Sequence, residues 1–130
     1  MTPSLPLFAD FGAASTAALS LLQDRLGLSL WMVTRTVGND WVVLGAVQQS
    51  PGDGGAGYNV VAGDVFVWSD SFCSRMVRGE GPNVAAVVDE VTVYKHAPIA
   101  AQLPSNAYVG VPILNADGSL FGTLCAIDPA

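Results

Sequence analysis

Apolar residues recur at helical spacing in "DFGAASTAALSLLQDRL" (10–26), where Phe11, Ala14, Ala18, Leu19, Leu22 and Leu26 share one broad stripe. Asp10 is placed to cap the start and Gly27 to end the run, so an amphipathic helix is predicted. The pattern then changes. "LSLWMVTRTV" (28–37) and "DWVVLGAVQQ" (40–49) are rich in β-branched and aromatic residues and are separated by Gly38-Asn39, which predicts a strand, a tight turn and a second strand. Apolar residues fill both phases of these runs until Arg35 and Gln48, so the hairpin is expected to be covered on both faces.

Glycine interrupts the pattern at 50–64, "SPGDGGAGYNVVAGD", the one extended loop of the first half. Strand-like "VFVW" leads into "SDSFCSRMVRG". There Ser69 or Asp70 is expected to cap a short helix with Phe72, Cys73, Met76 and Val77 inward, Arg75 and Arg78 outward, and Gly79 at its stop. "NVAAVVDEV" (83–91) reads as a further strand, and "YKHAPIAAQLPSN" as an irregular segment holding a short helical turn before Pro104. "AYVGVPIL" and "SLFGTLCAID" flank "NADG", and Asp117-Gly118 between two apolar runs is the clearest hairpin signal in the chain. The order predicts an α+β domain with an antiparallel sheet, and 130 residues make it a single domain, 1–130.

Composition narrows the function classes. Half the residues are apolar (51%) and only 12% charged, which fits a packed domain with a thin charged surface. Eleven acidic residues against five basic ones give a formal charge of −6, so no nucleic-acid partner is expected. No apolar run is long enough for a membrane span and "MTPSLPLF" lacks the features of a signal peptide, so the expected address is cytoplasmic, with no membrane partner. Cys73 and Cys125, in apolar surroundings, fit two reduced, buried thiols.

The closing "YVGVPILNADGSLFGTLCAIDP", together with "WSDSFCSRMVRGEGP", resembles the GAF domains, small sensory and ligand-binding modules of signalling proteins. The resemblance extends over residues 10–129 and implies a GAF-like, PAS-related central antiparallel sheet of about five or six strands with helices on both faces. The helices from the chain ends would take one face and a ligand pocket the other. It also implies a further helix after the last strand. The chain is therefore expected to be a sensor module excised from a larger protein, lacking its exit helix and dimerising through helix 10–26 and that missing helix. The implied role is to bind a small molecule and control an attached output domain such as a diguanylate cyclase, a phosphodiesterase or a histidine kinase.

The candidate pocket comprises Trp68, Asp70, Phe72, Cys73, Met76, Tyr94, His96 and Tyr108, an apolar wall with a few polar groups. Gly54, Gly55, Gly57 and Tyr58 form a candidate lid. A pocket-facing Cys73 could carry a tetrapyrrole, as in bilin-bearing members of the family, although Ser74 and not histidine follows it. Some small members reduce free methionine sulfoxide through two or three cysteines, a chemistry that wants an exposed thiolate of low pKa. Cys125 reads as a small buried hydrophobe. No carboxylate pair, nucleophile elbow or His-Cys cluster is present, so neither catalytic nor metal-binding residues are expected and no cofactor is required. A ligand-free dimerisation module is the remaining alternative.

Overall fold

The computed structural model describes residues 11–49 and 58–129. Helix α1 (Phe11–Leu26) precedes β1 (Leu30–Val37), β2 (Asp40–Gln48) and the short strand β3 (Val65–Val67). A 3-10 turn at Trp68–Asp70 leads into α2 (Phe72–Val77), then β4 (Val84–Ala85), a second 3-10 turn at Val88–Glu90, and the one-turn helices α3 (Thr92–Lys95) and α4 (Ile99–Gln102). Strands β5 (Ala107–Leu114) and β6 (Leu120–Asp128) follow. The six strands form one antiparallel sheet in the order β3-β2-β1-β6-β5-β4, the α+β architecture expected from the sequence. β6 lies at the centre, between β1 and β5. That position explains how "FGTLCAID" can be apolar in both phases, since layers cover it above and below.

The turns form where the sequence permits them. Gly27 stands at φ +77° and donates its N–H to Gln23 O at 2.9 Å, ending α1. Gly38, at φ +59°, occupies the first central position of the two-residue β1–β2 turn. The cap proposed at Asp10 lies outside the described residues. For α2 the cap is Ser71, one position beyond the expected pair: its Oγ accepts the Ser74 N–H at 3.0 Å, while Ser69 and Asp70 belong to the preceding 3-10 turn.

Residues 83–91 depart from the strand expected there. Only Val84 and Ala85 pair, with Val109 and Tyr108. Ala85, Val88, Tyr94 and Ala97 are buried and Val91 is half-buried, so every third residue faces inward. That spacing suits tight helical turns and not a pleat. Val88 N–H reaches Asn106 O at 2.6 Å, and the Asn83 amide donates to Gly110 O at 2.8 Å, so polar groups outside any regular ladder fix the segment.

A β-bulge at Leu44 changes the phase of β2, because Val43 pairs with Thr34 and Gly45 with Val33. Before the bulge Trp41 and Val43 face the larger core; after it Ala46 takes that side and Gly45 turns to α1, where its neighbours are Ser15, Val33 and Leu19. Gln48 consequently points away from α1 and bonds Val60 in both directions.

The two faces of the sheet differ. On one, α1 seals Leu19 against Trp31 and Ala126. The rest of its predicted stripe is less covered: Ala14, Ala18 and Leu26 are exposed. The helix packs on β1 and β2, and its other flank borders an open apolar groove of about 230 Å³ with Val111, Ile113 and Leu124 on the sheet side. On the opposite face, α2, α3, α4 and their connections cover the larger core, which includes Leu30, Met32, Trp41, Phe72, Tyr94, Tyr108, Cys125 and Ile127. Within that layer Trp41 Nε1 donates to Thr34 Oγ1 at 2.8 Å, and the Thr34 and Thr123 hydroxyls are 2.7 Å apart, so these three side chains satisfy one another, whereas the buried Thr36 hydroxyl on β1 has no such partner.

Candidate functional site

Five of the eight pocket candidates come together: Phe72, Cys73, Met76, Tyr94 and Tyr108. They do so as packed interior. The rings of Phe72, Tyr94 and Tyr108 form a closed triad, with centroids 5.5, 5.4 and 5.1 Å apart and planes inclined by 55–68°. Two glycines make room for it. A Cβ at Gly81 would lie 2.6 Å from the Tyr94 ring, and one at Gly110 would lie 2.0 Å from the Tyr108 hydroxyl. The polar tips are satisfied internally, Tyr94 Oη donating to Pro82 O and Tyr108 Oη to Cys73 Sγ at 3.2 Å. Trp68 is half-buried beside Trp41, centroids 6.4 Å apart, Asp70 is half-buried in the 3-10 turn, and His96 is exposed at the end of α3.

The two thiols lie in this interior, both free and fully buried. Burial, the largest influence, pushes the Cys73 thiol up, but hydrogen bonds from Cys125, Thr123 and Tyr108 outweigh it and leave the group below its ordinary value. Cys125 is held well above its ordinary value by its hydrogen bond with Cys73 and by burial. The thiol held below its ordinary value thus has no access to solvent. Burial, followed by the influence of Cys73, pushes Tyr94 up to about 12, and burial raises Tyr108 further still.

An open cavity of about 560 Å³ lies elsewhere, at the β3 edge of the sheet. One wall is the segment entering β3 (Tyr58, Asn59, Val60, Asp64, Val65 and Phe66); the other is the end of α4 and its exit (Gln102, Leu103 and Pro104), with Pro129 at the rim. The size is that of a small-molecule site. Both walls are tied down. Gln48 Nε2 donates to Val60 O at 2.7 Å while Val60 N–H donates to Gln48 Oε1 at 3.0 Å, and the Tyr58 hydroxyl donates to Pro104 O, bridging one wall to the other. Burial, partly offset by a hydrogen bond with Ser105, pushes the Tyr58 hydroxyl up. Asp64 closes the turn at Val61–Asp64 by accepting the Val61 N–H at 3.0 Å.

Of the sequence candidates, only Tyr58 lines this cavity; Gly54, Gly55 and Gly57 lie outside the described residues. Val60, Phe66 and Leu103 were missed because their apolar character fits strand and turn packing equally well. The "GYNVVAGD" run with its acidic turn residue was the one available signal. Among the described residues no group of three His, Cys, Asp or Glu side chains is placed to hold a metal ion.

A six-stranded antiparallel sheet with helices on both faces and a side cavity places this chain among the small α+β domains. It belongs to the GAF domain family, whose model matches residues 7–130. Solved structures of similar fold include the chromophore-binding domain of the bacteriophytochrome RpBphP3 from R. palustris, at TM-score 0.65 and 14% identity over 90% of this chain and 46% of that one. The blue-light absorbing form of the PixJ GAF domain from Thermosynechococcus elongatus gives 0.66 and 16% over 91% and 68%. Free methionine-R-sulfoxide reductase from Neisseria meningitidis, in complex with its substrate, gives 0.63 and 17% over 90% and 62%. The chain spans less than half the length of the bacteriophytochrome domain, and at these identities the likeness establishes a shared fold. No curated protein matches the chain. No helix among the described residues is long and apolar enough to cross a membrane.

Proposed function

We propose that this chain is a cytoplasmic sensory domain that binds a small molecule in the edge cavity and thereby adjusts an attached signalling output domain, in the manner of modules joined to cyclic-di-nucleotide enzymes or histidine kinases. The observation that carries the reading is the cavity itself, ligand-sized and walled by two segments that side-chain hydrogen bonds hold in place. A route to the output runs through the same bonds. Val60 is tied to Gln48 on β2, and β2 meets α1 at Gly45, whose nearest neighbours include Ser15 and Leu19. A ligand that draws the two walls together would load β2 and shift the seat of α1. It acts only to the extent that it binds the two arrangements unequally. The apolar groove beside α1 supports a helix-mediated homodimer, with an exit helix or a second α1 as its cover.

The packing around Cys73 speaks against the two thiol-based alternatives. A covalent tetrapyrrole would have to displace the Phe72–Tyr94–Tyr108 triad, and a methionine sulfoxide reductase would need solvent to reach a thiol that is 0% exposed.

Native mass spectrometry of the purified chain, repeated after denaturation and beside an absorption spectrum, tests the proposal. The expected result is an added mass, either retained from expression or acquired on incubation with a small-molecule extract, that is lost on denaturation and in an Asn59→Trp variant that blocks the cavity. A bare polypeptide under every condition would overturn it. So would a persistent, coloured adduct that vanishes in Cys73→Ser, which would establish the chromophore alternative instead.

A further inference from the structure

Charge is distributed unevenly around the cavity. Among the described residues Asp64 is the one carboxylate side chain in its lining, Asp128 acts on the lining residue Tyr58 from nearby, and no lysine or arginine reaches the cavity. The chain has five basic residues in all, and each is placed elsewhere. Arg25 ends α1, and Arg35 lies over the Phe121 ring at 5.4 Å. Arg75 donates to the Ser69 and Ser71 carbonyls at 2.9 Å, Arg78 pairs with Glu80 at 3.1 Å, and Lys95 ends α3.

The hydrogen bond from Val61 N–H fixes the half-buried Asp64 carboxylate through Oδ2. Two aromatic rings, Tyr58 and Phe66, stand in the same lining, and Phe66 is supported from behind by Trp41 at 6.1 Å. A fixed carboxylate beside aromatic faces attracts an organic cation. The same lining, in a chain of net charge −6, repels a phosphate or a carboxylate.

We propose that the edge cavity is selective for a small, partly apolar ammonium compound, with Asp64 receiving the ammonium group and Phe66 and Leu103 receiving the apolar part. This rests on the reading of the cavity as the ligand site. Nucleotides and other phosphorylated signals are excluded as occupants of this cavity, and Asp64 is the residue that sets the selectivity.

Three probes of matched shape test it on the full chain: phenylethylamine, phenylpropionate and neutral phenylpropanol, followed by amide chemical-shift titration. The amine is expected to move the amides of Asn59, Asp64, Phe66 and Leu103 and to bind about tenfold or more tightly than the carboxylate. Asp64→Asn keeps an oxygen for the Val61 N–H and should remove most of that preference. Gln102→Lys, at an exposed wall position, should reverse it. Equal or tighter binding of phenylpropionate, or an unchanged ratio in Asp64→Asn, would overturn the charge assignment. Binding of phenylpropanol with no charge preference would overturn it too while leaving the ligand-site reading intact. No shift at those amides with any probe would remove the ligand site and this proposal together.

Discussion

Gly122→Ala is the substitution with the largest effect the fold predicts for so small a change. A Cβ at this position would stand 1.8 Å from Thr34 O, 2.7 Å from Thr34 C and 2.8 Å from Arg35 Cα. All three obstacles are backbone, so no rotamer change relieves them, and β1 and β6 must part by more than an ångström. Gly122 pairs with Arg35 on one side and Ile113 on the other, directly after the bulge at Phe121, in the middle of the sheet. Separation there breaks one or two ladder hydrogen bonds, about 1 kcal/mol each. Overpacking adds about 1–3 kcal/mol, and Thr123, next in sequence, carries the Thr34–Trp41 network with it. A loss of about 2–5 kcal/mol results, against a total stability of about 5–15 kcal/mol for a domain. Urea unfolding of Gly122→Ala beside Gly45→Ala measures it. At Gly45 the nearest atoms are side-chain carbons, beginning with Ser15 Cβ at 3.3 Å, so that control should lose far less. A Gly122→Ala midpoint close to that of the parent would refute the reasoning.

Thr34→Val should cost about 2 kcal/mol, because it leaves the Trp41 N–H buried without its partner and takes one of its hydrogen bonds from the Thr123 hydroxyl; urea titration against Thr34→Ser, which keeps the hydroxyl, checks it, and equal losses would refute it. All three tyrosines have raised pKa values, Tyr94 to about 12 against an ordinary 10.0. The folded chain therefore holds protons that the unfolded chain releases, and stability should fall as pH rises from about 10 towards about 12. Phenolate absorbance should accordingly appear together with loss of circular dichroism; ionisation of Tyr94 near its ordinary value in a folded protein would contradict this. Cys73 and Cys125, both sealed, should react with a thiol-specific disulfide reagent only as fast as the domain opens, and prompt labelling in native buffer would refute the sealed interior.

Much of the fold was legible because its signals are local. Gly38-Asn39 and Asp117-Gly118 mark two hairpins, and the helical period of 10–26 marks α1. The β2 bulge was invisible in "WVVLGAV", since an all-apolar run looks the same with or without a change of phase. The inward three-residue period of Ala85 to Ala97 was hidden by valines, whose β-propensity argued for a strand that tertiary contacts did not form. For the site, periodicity placed Phe72, Cys73 and Met76 on one inner face, and the structure brings them together there. Whether an inner face bounds a cavity or fills it depends on ring placement, here on Gly81 and Gly110 admitting Tyr94 and Tyr108. The cavity walls, 58–66 and 102–104, are far apart in sequence and meet only through the tertiary fold.

The paired bonds between Gln48 and Val60 give one side chain the part of a neighbouring strand for the length of a residue. A knot of that kind separates what lies between its ends from what lies beyond them. The register of β2 and the seat of Val60 are thereby held to each other directly, by two bonds on a single amide group.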